Sequence, residues 1–530
     1  MSNDNGCDVF DVAVVGFGPS GAVAAALLGV AGLKVWVCDR SRDIYDRPRA
    51  IALDHEILRV FQQIGVVDDV MPHVEPFTPS EYFGVDGQLI KRLTMVAPPY
   101  PLGYTPSNVF TQPPVEAALR RRVQGLPNVQ VELGVEVISL KQDAEVAELA
   151  IKRDDGATGE IQARYVVGCD GAWSLVRETA GLKLQDLVFD EPWLVVDVLV
   201  NERGLAKLPQ TSVQYCEPER PCTLVIGPKN HRRWEISLNK GEDPKLAATP
   251  ERTWELLSRW ITPDDGKLWR QASYRFHALV ADSWRNGRLF IAGDAAHQQP
   301  PFLGQGMCQG VRDVANLSWK LTAVLKGEVK GAGADMLLDS YGDERKAHVQ
   351  ELTSRIKGIG AVICERDVAK ARERDRKLLA DAGGIVKDTP RQDVLPKLET
   401  GLLSSSPHGA NGSIFPQPWL LRDGERVRFD DVVPTGWRLV LAPIVGKPAA
   451  PKGLAVVTVG EGYAAEADQV VADWFRRQHC VAVLVRPDHY VFGVAVDERQ
   501  LSELLADWSQ RLESKSATKR SVAGPSGVQG

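Results

Sequence analysis

The chain is short of the features that announce a class at once. Its 530 residues include only eight cysteines (7, 38, 169, 216, 222, 308, 364 and 480), with no C-x-x-C pair and no Cys/His cluster at zinc spacing. That excludes a structural zinc site or a dithiol centre as the organising chemistry, and the cysteines read as isolated, reduced thiols. The first apolar run, in MSNDNGCDVFDVAVVGFG, follows an acidic start and is broken by glycines well short of the roughly 20 residues a membrane span needs. Neither a membrane span nor an export signal is expected, and the cytoplasm is the expected location. An excess of positive charge is missing too: 63 Lys and Arg face 69 Asp and Glu, a net charge of −6. This is the wrong sign for wrapping a polyphosphate, so no nucleic-acid partner is expected. Whether the chain forms a homo-oligomer stays open.

What is present is ordinary globular composition, 44% hydrophobic and 25% charged, at a length that predicts about three or four domains. FDVAVV (10–15) reads as a strand, a glycine-rich turn follows, residues 20–31 read as a helix, and LKVWVC (33–38) returns as a second buried strand. A helix is expected over 51–64, where Leu53, Ile57, Leu58, Phe61 and Ile64 share one face. Short strands fit 76–104 and 193–238, another strand fits RLFIA (288–292), and a long helix runs from about Gly306 to Leu325. The charge-dense stretch 365–378 reads as a solvated helix face, and GLLSSSPHGANGS (401–413) as a linker or exposed loop. Early and late segments therefore interleave. The expected units are a discontinuous Rossmann-like domain (8–75, 105–190 and 280–345), a β-sheet substrate domain (76–104 and 191–279) and a helical segment (346–400). A small α/β domain (410–512) and a disordered tail (513–530) complete the chain.

The chemistry-bearing residues cluster at strand ends. Gly16, Gly18 and Gly21, with Pro19 and Ser20 between them, form G-x-G-x-x-G between a strand and a helix. The first glycine allows the turn, the second admits a pyrophosphate to the backbone, and the third lets the helix pack on the strand. Asp39 ends the second strand, where an acid accepts from a ribose hydroxyl. A dinucleotide is expected, NAD or FAD alike, because the motif grips the ADP half they share. GCDGAWSLVR and AGDAAHQQPPFLGQG each put an acid, Asp170 and Asp294, just beyond a buried strand. Either Asp can serve a ribityl chain or simply cap a helix. After Gly293 and Asp294, the rigid Pro300, Pro301, Phe302, Leu303, Gly304, Gln305, Gly306, Met307 turn opens a helix whose first N–H groups suit an electron-rich ring edge.

Taken in order, GFGPSG, RPRAIALDHEILRVFQQIG, GCDGAWSLVR and AGDAAHQQPPFLGQG resemble the FAD-dependent aromatic-ring hydroxylases of the para-hydroxybenzoate hydroxylase fold. Among these the chain looks most like the 3-(3-hydroxyphenyl)propionate hydroxylases, over roughly residues 8–500. The resemblance implies a bound FAD and transient NADH or NADPH. It also implies hydroxylation of a small phenolic substrate by O2 through a flavin C4a-hydroperoxide, in aromatic catabolism. It implies that Gly16, Gly18 and Gly21 hold the pyrophosphate, Asp39 the adenosine ribose and Arg40 the adenine side. Arg49 reaches the phosphates or ribose, Gln112 the sugar chain and Asp170 the FAD site. Asp294 meets the ribityl or pyrophosphate portion, Gly304 to Met307 face the isoalloxazine, and Pro300 and Pro301 shape its active face. Met307 and Cys308 depart from the aromatic residue and Asn usual in close relatives, which puts the pocket's shape in question. The last domain resembles the thioredoxin-like domain appended to many of these enzymes; with Cys480 its only cysteine, dithiol exchange is ruled out and packing or assembly is left.

No catalytic base is assigned: His231, Tyr215 and His277 lie in the substrate-sheet region and read more readily as structural. Epoxidation and Baeyer-Villiger insertion on the same scaffold stay open, and halogenation is disfavoured because no W-x-W-x-I-P string occurs. A flavin-free dehydrogenase and a non-catalytic interaction protein are the readings from other classes; a yellow preparation eliminates the former. Gly18→Val is expected to abolish flavin retention by filling the space for the pyrophosphate, as read from flavin absorbance after desalting. Full loading would overturn the assignment.

Overall fold

Strands buried on both faces carry unbroken apolar runs, whereas strands covered on one face alternate. Both kinds are present in this computed structural model, which describes residues 9–386, 388–449 and 451–513. All but the first residue of the expected tail lies outside that range.

Phe10–Val15 and Val35–Asp39, with almost every side chain buried, lie at the heart of an eight-stranded sheet. Its parallel core runs Leu289–Ile291, Thr158–Gly168, Phe10–Val15, Val35–Asp39, Val129–Leu133. Ala147–Arg153 and Val135–Gln142 extend it as antiparallel strands. The helix Pro19–Val30 starts on a proline whose missing N–H costs nothing at that position, and its small side chains let it pack closely. Thus a late strand, Leu289–Ile291, pairs with a sheet begun by the first residues of the chain.

The second sheet has nine strands, including Gly266–Ala281, Leu184–Val200, His231–Ser237, Cys222–Ile226, Ser212–Tyr215, Ser80–Phe83 and Leu89–Thr94. In register, Trp234 and Ile236 fall on the same face as Leu194, Val196 and Leu224 and form its core. His231, Arg233 and Glu235 therefore point to the other face, toward the first sheet. The third unit is a four-stranded sheet, Leu454–Thr458, Trp437–Leu441, Ala482–Val485, Val491–Ala495, with helices Val470–Gln478 and Glu498–Glu513.

Three local expectations are revised. The helix expected over 51–64 is a short strand, Ala52–Asp54, followed by a helix His55–Gln63, because the Asp54 carboxylate accepts from the N–H groups of Glu56 and Ile57 and starts the helix there. The charge-dense helix Val368–Asp381 is not wholly solvated: Asp375 is buried and accepts from Val85 N–H at 2.8 Å, clasping the hairpin of the second sheet. The 401–413 stretch is no free linker, since Ala410 and Asn411 are buried and Leu402 N–H donates to Glu344 at 2.8 Å.

Glu344 sits on the long helix Ala332–Ile363 and ties it to the third unit, accepting from Arg486 at 2.7 Å and Lys320 at 2.8 Å. Burial alone would raise its carboxyl, but Arg486 and Lys320 outweigh that and hold it at about 2, against an ordinary value of 4.5. A depressed carboxyl contributes stability that is full above pH 4.5 and disappears as pH falls toward 2. Glu344→Gln is expected to flatten that part of the acid dependence of the thermal midpoint while lowering the midpoint at neutral pH. An unchanged acid profile would count against the clamp.

Candidate functional site

The first glycine turn is shaped by what cannot be there. Gly16 has φ +97°, and a Cβ on it would collide with the Cys169 carbonyl; a Cβ on Gly21 would collide with the carbonyl oxygen of Gly16. At Gly18, by contrast, a Cβ would meet no protein atom within 4 Å. Backbone thus borders open space at the position where the motif needs room for phosphate. Asp39, at the end of its strand, accepts from Phe17 N–H and Ser41 N–H, both at 2.8 Å, so it braces the turn. Arg40 is exposed and does not reach the cavity described next.

The late loop closes on this turn. Ser20 is wedged between Gly293 and Gly310: a Cβ on Gly293 would stand 3.0 Å from its Oγ, and one on Gly310 would overlap it. Gly293 is fixed from below, its N–H donating to Asp313 at 3.0 Å. His297 also binds Asp313, at 2.7 Å, as does Arg345 at 2.9 Å, which makes His297 a buried bracing residue.

Between these parts lies a cavity of about 350 Å³, within the range small ligands fill. Pro19, Ser20, Arg49, Gln112, Gly293, Asp294, Pro301, Gly304, Gly306 and Met307 line it, all of them singled out from the sequence. Gln112 is held by accepting from Arg49 N–H at 3.0 Å and Ala50 N–H at 2.6 Å. The Arg49 guanidinium lies over the Tyr45 ring at 4.7 Å. Asp294 is exposed and lines this cavity; the surrounding protein raises its carboxyl, and His297 and Arg49 partly offset that. Gly306 and Met307 begin the helix Gly306–Leu325, so its positive end faces the cavity. Asp170 does not line it. Its carboxylate accepts from Ser174 Oγ at 2.5 Å and Val176 N–H at 3.2 Å, fixing a helix start behind the glycine turn.

The opposite wall was not legible from the sequence. Val195, Arg233, Glu235, Arg270, Tyr274 and Phe276 come from three neighbouring strands of the nine-stranded sheet. The available signal was the alternation in HRRWEIS, which sets His231, Arg233 and Glu235 on one face. Arg233 and Arg270 are gathered around Asp197: Arg233 Nε donates to it at 2.7 Å, and Arg270 stands 3.6 Å away. His231 is bound to Asp197 at 2.7 Å, Tyr215 accepts from Trp260 Nε1 at 3.0 Å, and neither they nor His277 line the cavity.

A family model described as an FAD binding domain matches residues 9–356. The chain belongs to the FAD-dependent aromatic hydroxylases. A probable NADH-specific resorcinol 4-hydroxylase of Rhodococcus jostii is 36% identical over 513 residues, 93% of either chain. A 3-(3-hydroxy-phenyl)propionate/3-hydroxycinnamic acid hydroxylase of Burkholderia cenocepacia is 32% identical, covering 91% of this chain and 93% of its own. Among solved structures, the flavin-dependent monooxygenase PieE, in complex with FAD and substrate, superposes with a TM-score of 0.79 at 22% identity, covering 95% of this chain and 99% of its own. The open space at Gly18, the cavity-facing Asp294 and the helix start at Gly306 are features that suit the family's FAD. Among the described residues, no helix is long and apolar enough to cross a membrane, and no three His, Cys, Asp or Glu gather as metal ligands.

Asp294→Ala is expected to leave the protein folded, with an unchanged circular dichroism spectrum, while lowering flavin retained after dialysis about tenfold, as for one lost charge-assisted hydrogen bond. Undiminished flavin content would remove Asp294 from the binding site.

Proposed function

We propose that this chain is a flavoprotein monooxygenase that hydroxylates a small, uncharged phenol with NADH or NADPH and O2. The observation that carries this reading is the single cavity shared by the first glycine turn, the Gly293–Met307 loop and the polar face of the nine-stranded sheet. The Gly16–Gly21 turn, which borders the cavity through Pro19 and Ser20, would hold the pyrophosphate, and Asp39, outside the cavity, the ribose. Arg49, Gln112 and Asp294 would hold the phosphate and sugar chain, and the Gly304–Met307 backbone the ring. FAD, when bound and reduced by a nicotinamide, supplies the activation of oxygen. The chain's own work is to bind the phenol, orient its ring and keep water out, and Ile51, Val195, Phe276, Pro300 and Pro301 give the cavity apolar walls for this.

The charge pattern favours a phenol without a carboxylate. Arg233 donates to Asp197 and to the backbone carbonyls of Arg49 and Pro48; Arg270 gives its terminal nitrogens to the Pro48 carbonyl and the Tyr274 hydroxyl. Both cations of the sheet are engaged within the protein. A substrate such as resorcinol suits this wall better than 3-(3-hydroxyphenyl)propionate, whose acid group calls for a free cation.

The domain boundaries given from the sequence are retained as part of the proposal, with 410–512 as a thioredoxin-like unit. The four-stranded sheet and its two helices support that reading. Cys480, buried and alone there, supports a packing role, as do the ion pairs of Arg59 with Asp430 and of Arg486 with Glu344.

The test measures nucleotide oxidation and hydroxylated product together for a panel of phenols. Product from resorcinol, with at least tenfold lower kcat/KM for 3-(3-hydroxyphenyl)propionate, is expected. No hydroxylated product from any phenol would overturn the hydroxylase reading, and a preference for the carboxylated substrate would overturn its refinement.

A further inference from the structure

The nine-stranded sheet leaves a buried acid on its cavity face, Glu235, with no hydrogen-bond partner among the described residues. Glu235 occupies the His231–Ser237 strand opposite Val195 on one neighbouring strand and Thr223 on the other, and its residue surface is 7% exposed. That remnant opens into the cavity. Two residues earlier on the same face, Arg233 is bound tightly to Asp197, so the cation nearest in sequence is already engaged. Among the described residues no hydrogen-bond donor reaches the Glu235 carboxyl. A buried carboxyl with no internal partner is costly unless something from outside the chain completes it.

Resting on the phenol-hydroxylase reading above, we propose that Glu235 is the group that accepts the substrate's phenolic proton. The phenol O–H bond breaks, its electron pair stays on oxygen, and the proton passes to a Glu235 carboxylate oxygen, leaving phenolate and carboxylic acid. No oxidant or reductant enters this step. The negative oxygen enriches the ring in electrons, which is what an aromatic substrate needs to attack an electrophilic oxygen. The proton returns when the product regains its hydroxyl.

The surroundings keep this carboxyl poised. Burial raises it most, Arg233 lowers it, Asp197 raises it and Arg270 lowers it, and together they leave it at about 7. The other charged or titratable groups facing the cavity are Tyr274, on the Gly266–Ala281 strand, and Arg49 and Asp294 on the opposite loops. The neighbouring Cys222–Ile226 strand offers Thr223, which carries no charge. An acceptor that titrates close to the working pH is the efficient kind, since it is ionised often enough and still holds a proton once taken.

The experiment uses the FAD-loaded enzyme and resorcinol across a pH range bracketing 7. For the native protein, kcat/KM for product formation is expected to rise as pH increases through about 7, because only the ionised carboxyl accepts a proton. Resorcinol binding, measured by fluorescence titration, is expected to tighten over the same interval. Glu235→Gln is expected to retain flavin, lose product formation by about 10²-fold and show flat profiles in both measurements. Glu235→Asp, which keeps a carboxyl, is expected to be slower yet still pH-dependent. A Gln variant with native rate and native pH profile overturns the proposal, as does an Asp variant with flat profiles. A native enzyme that hydroxylates no phenol is a different failure and overturns the underlying function as well.

Discussion

The Arg312 guanidinium, buried in the middle of the molecule, is the point on which the rest of the site depends. It donates to Asp54 and to Glu56, each at 2.6 Å, and to the Gln305 side chain at 3.0 Å. Tyr490, from the third unit, donates to the other oxygen of Glu56 at 2.8 Å. A buried ion is tolerable only with such complete geometry, and removing one member leaves an uncompensated charge at a cost of about 3–5 kcal/mol. The same atoms fix where things are: Asp54 starts one helix, Gln305 precedes the helix that opens on the cavity, and Tyr490 anchors the C-terminal sheet. The cluster thus positions the first backbone N–H groups of Gly306–Leu325, and it does so from three distant parts of the chain.

How much of this was readable follows from whether the cause is local. The first glycine turn, the 306–325 helix and the loop before it are dictated by short-range rules, by which residues tolerate a tight turn and which N–H groups a helix start leaves free. Those positions were therefore legible, and Pro19, Ser20, Gly293, Asp294 and the Pro300 to Met307 stretch border the cavity. Asp170 shows the limit: its place at a strand end fits a ligand contact and a helix brace equally, and the fold makes Ser174 and Val176 its partners. The substrate-facing wall lay beyond reach because it is a matter of register. Glu235 is opposite Val195 only because two strands separated by thirty residues align at that position, and nothing local to HRRWEIS fixes that alignment.

Asp197 is what lets the polar wall carry two arginines. Burial would raise its carboxyl, yet Arg233 and His231 hold it below the ordinary range, and the group stays ionised to balance its arginines. Arg233 and Arg270 are thereby held by the protein itself, while Arg49, Glu235 and Asp294 face the cavity with no ion-pair partner among the described residues.

Ser20, lodged between Gly293 and Gly310, has a consequence for how the protein is made. The glycine turn leaves the ribosome nearly three hundred residues before the backbone that seals it. At about 5–20 residues per second, that leaves roughly 15–60 s during synthesis with an uncovered dinucleotide cradle. Over that interval the nascent chain has half a binding site and nothing to shut it, so stable capture of the cofactor waits until the backbone around Gly293 and Gly310 has also emerged.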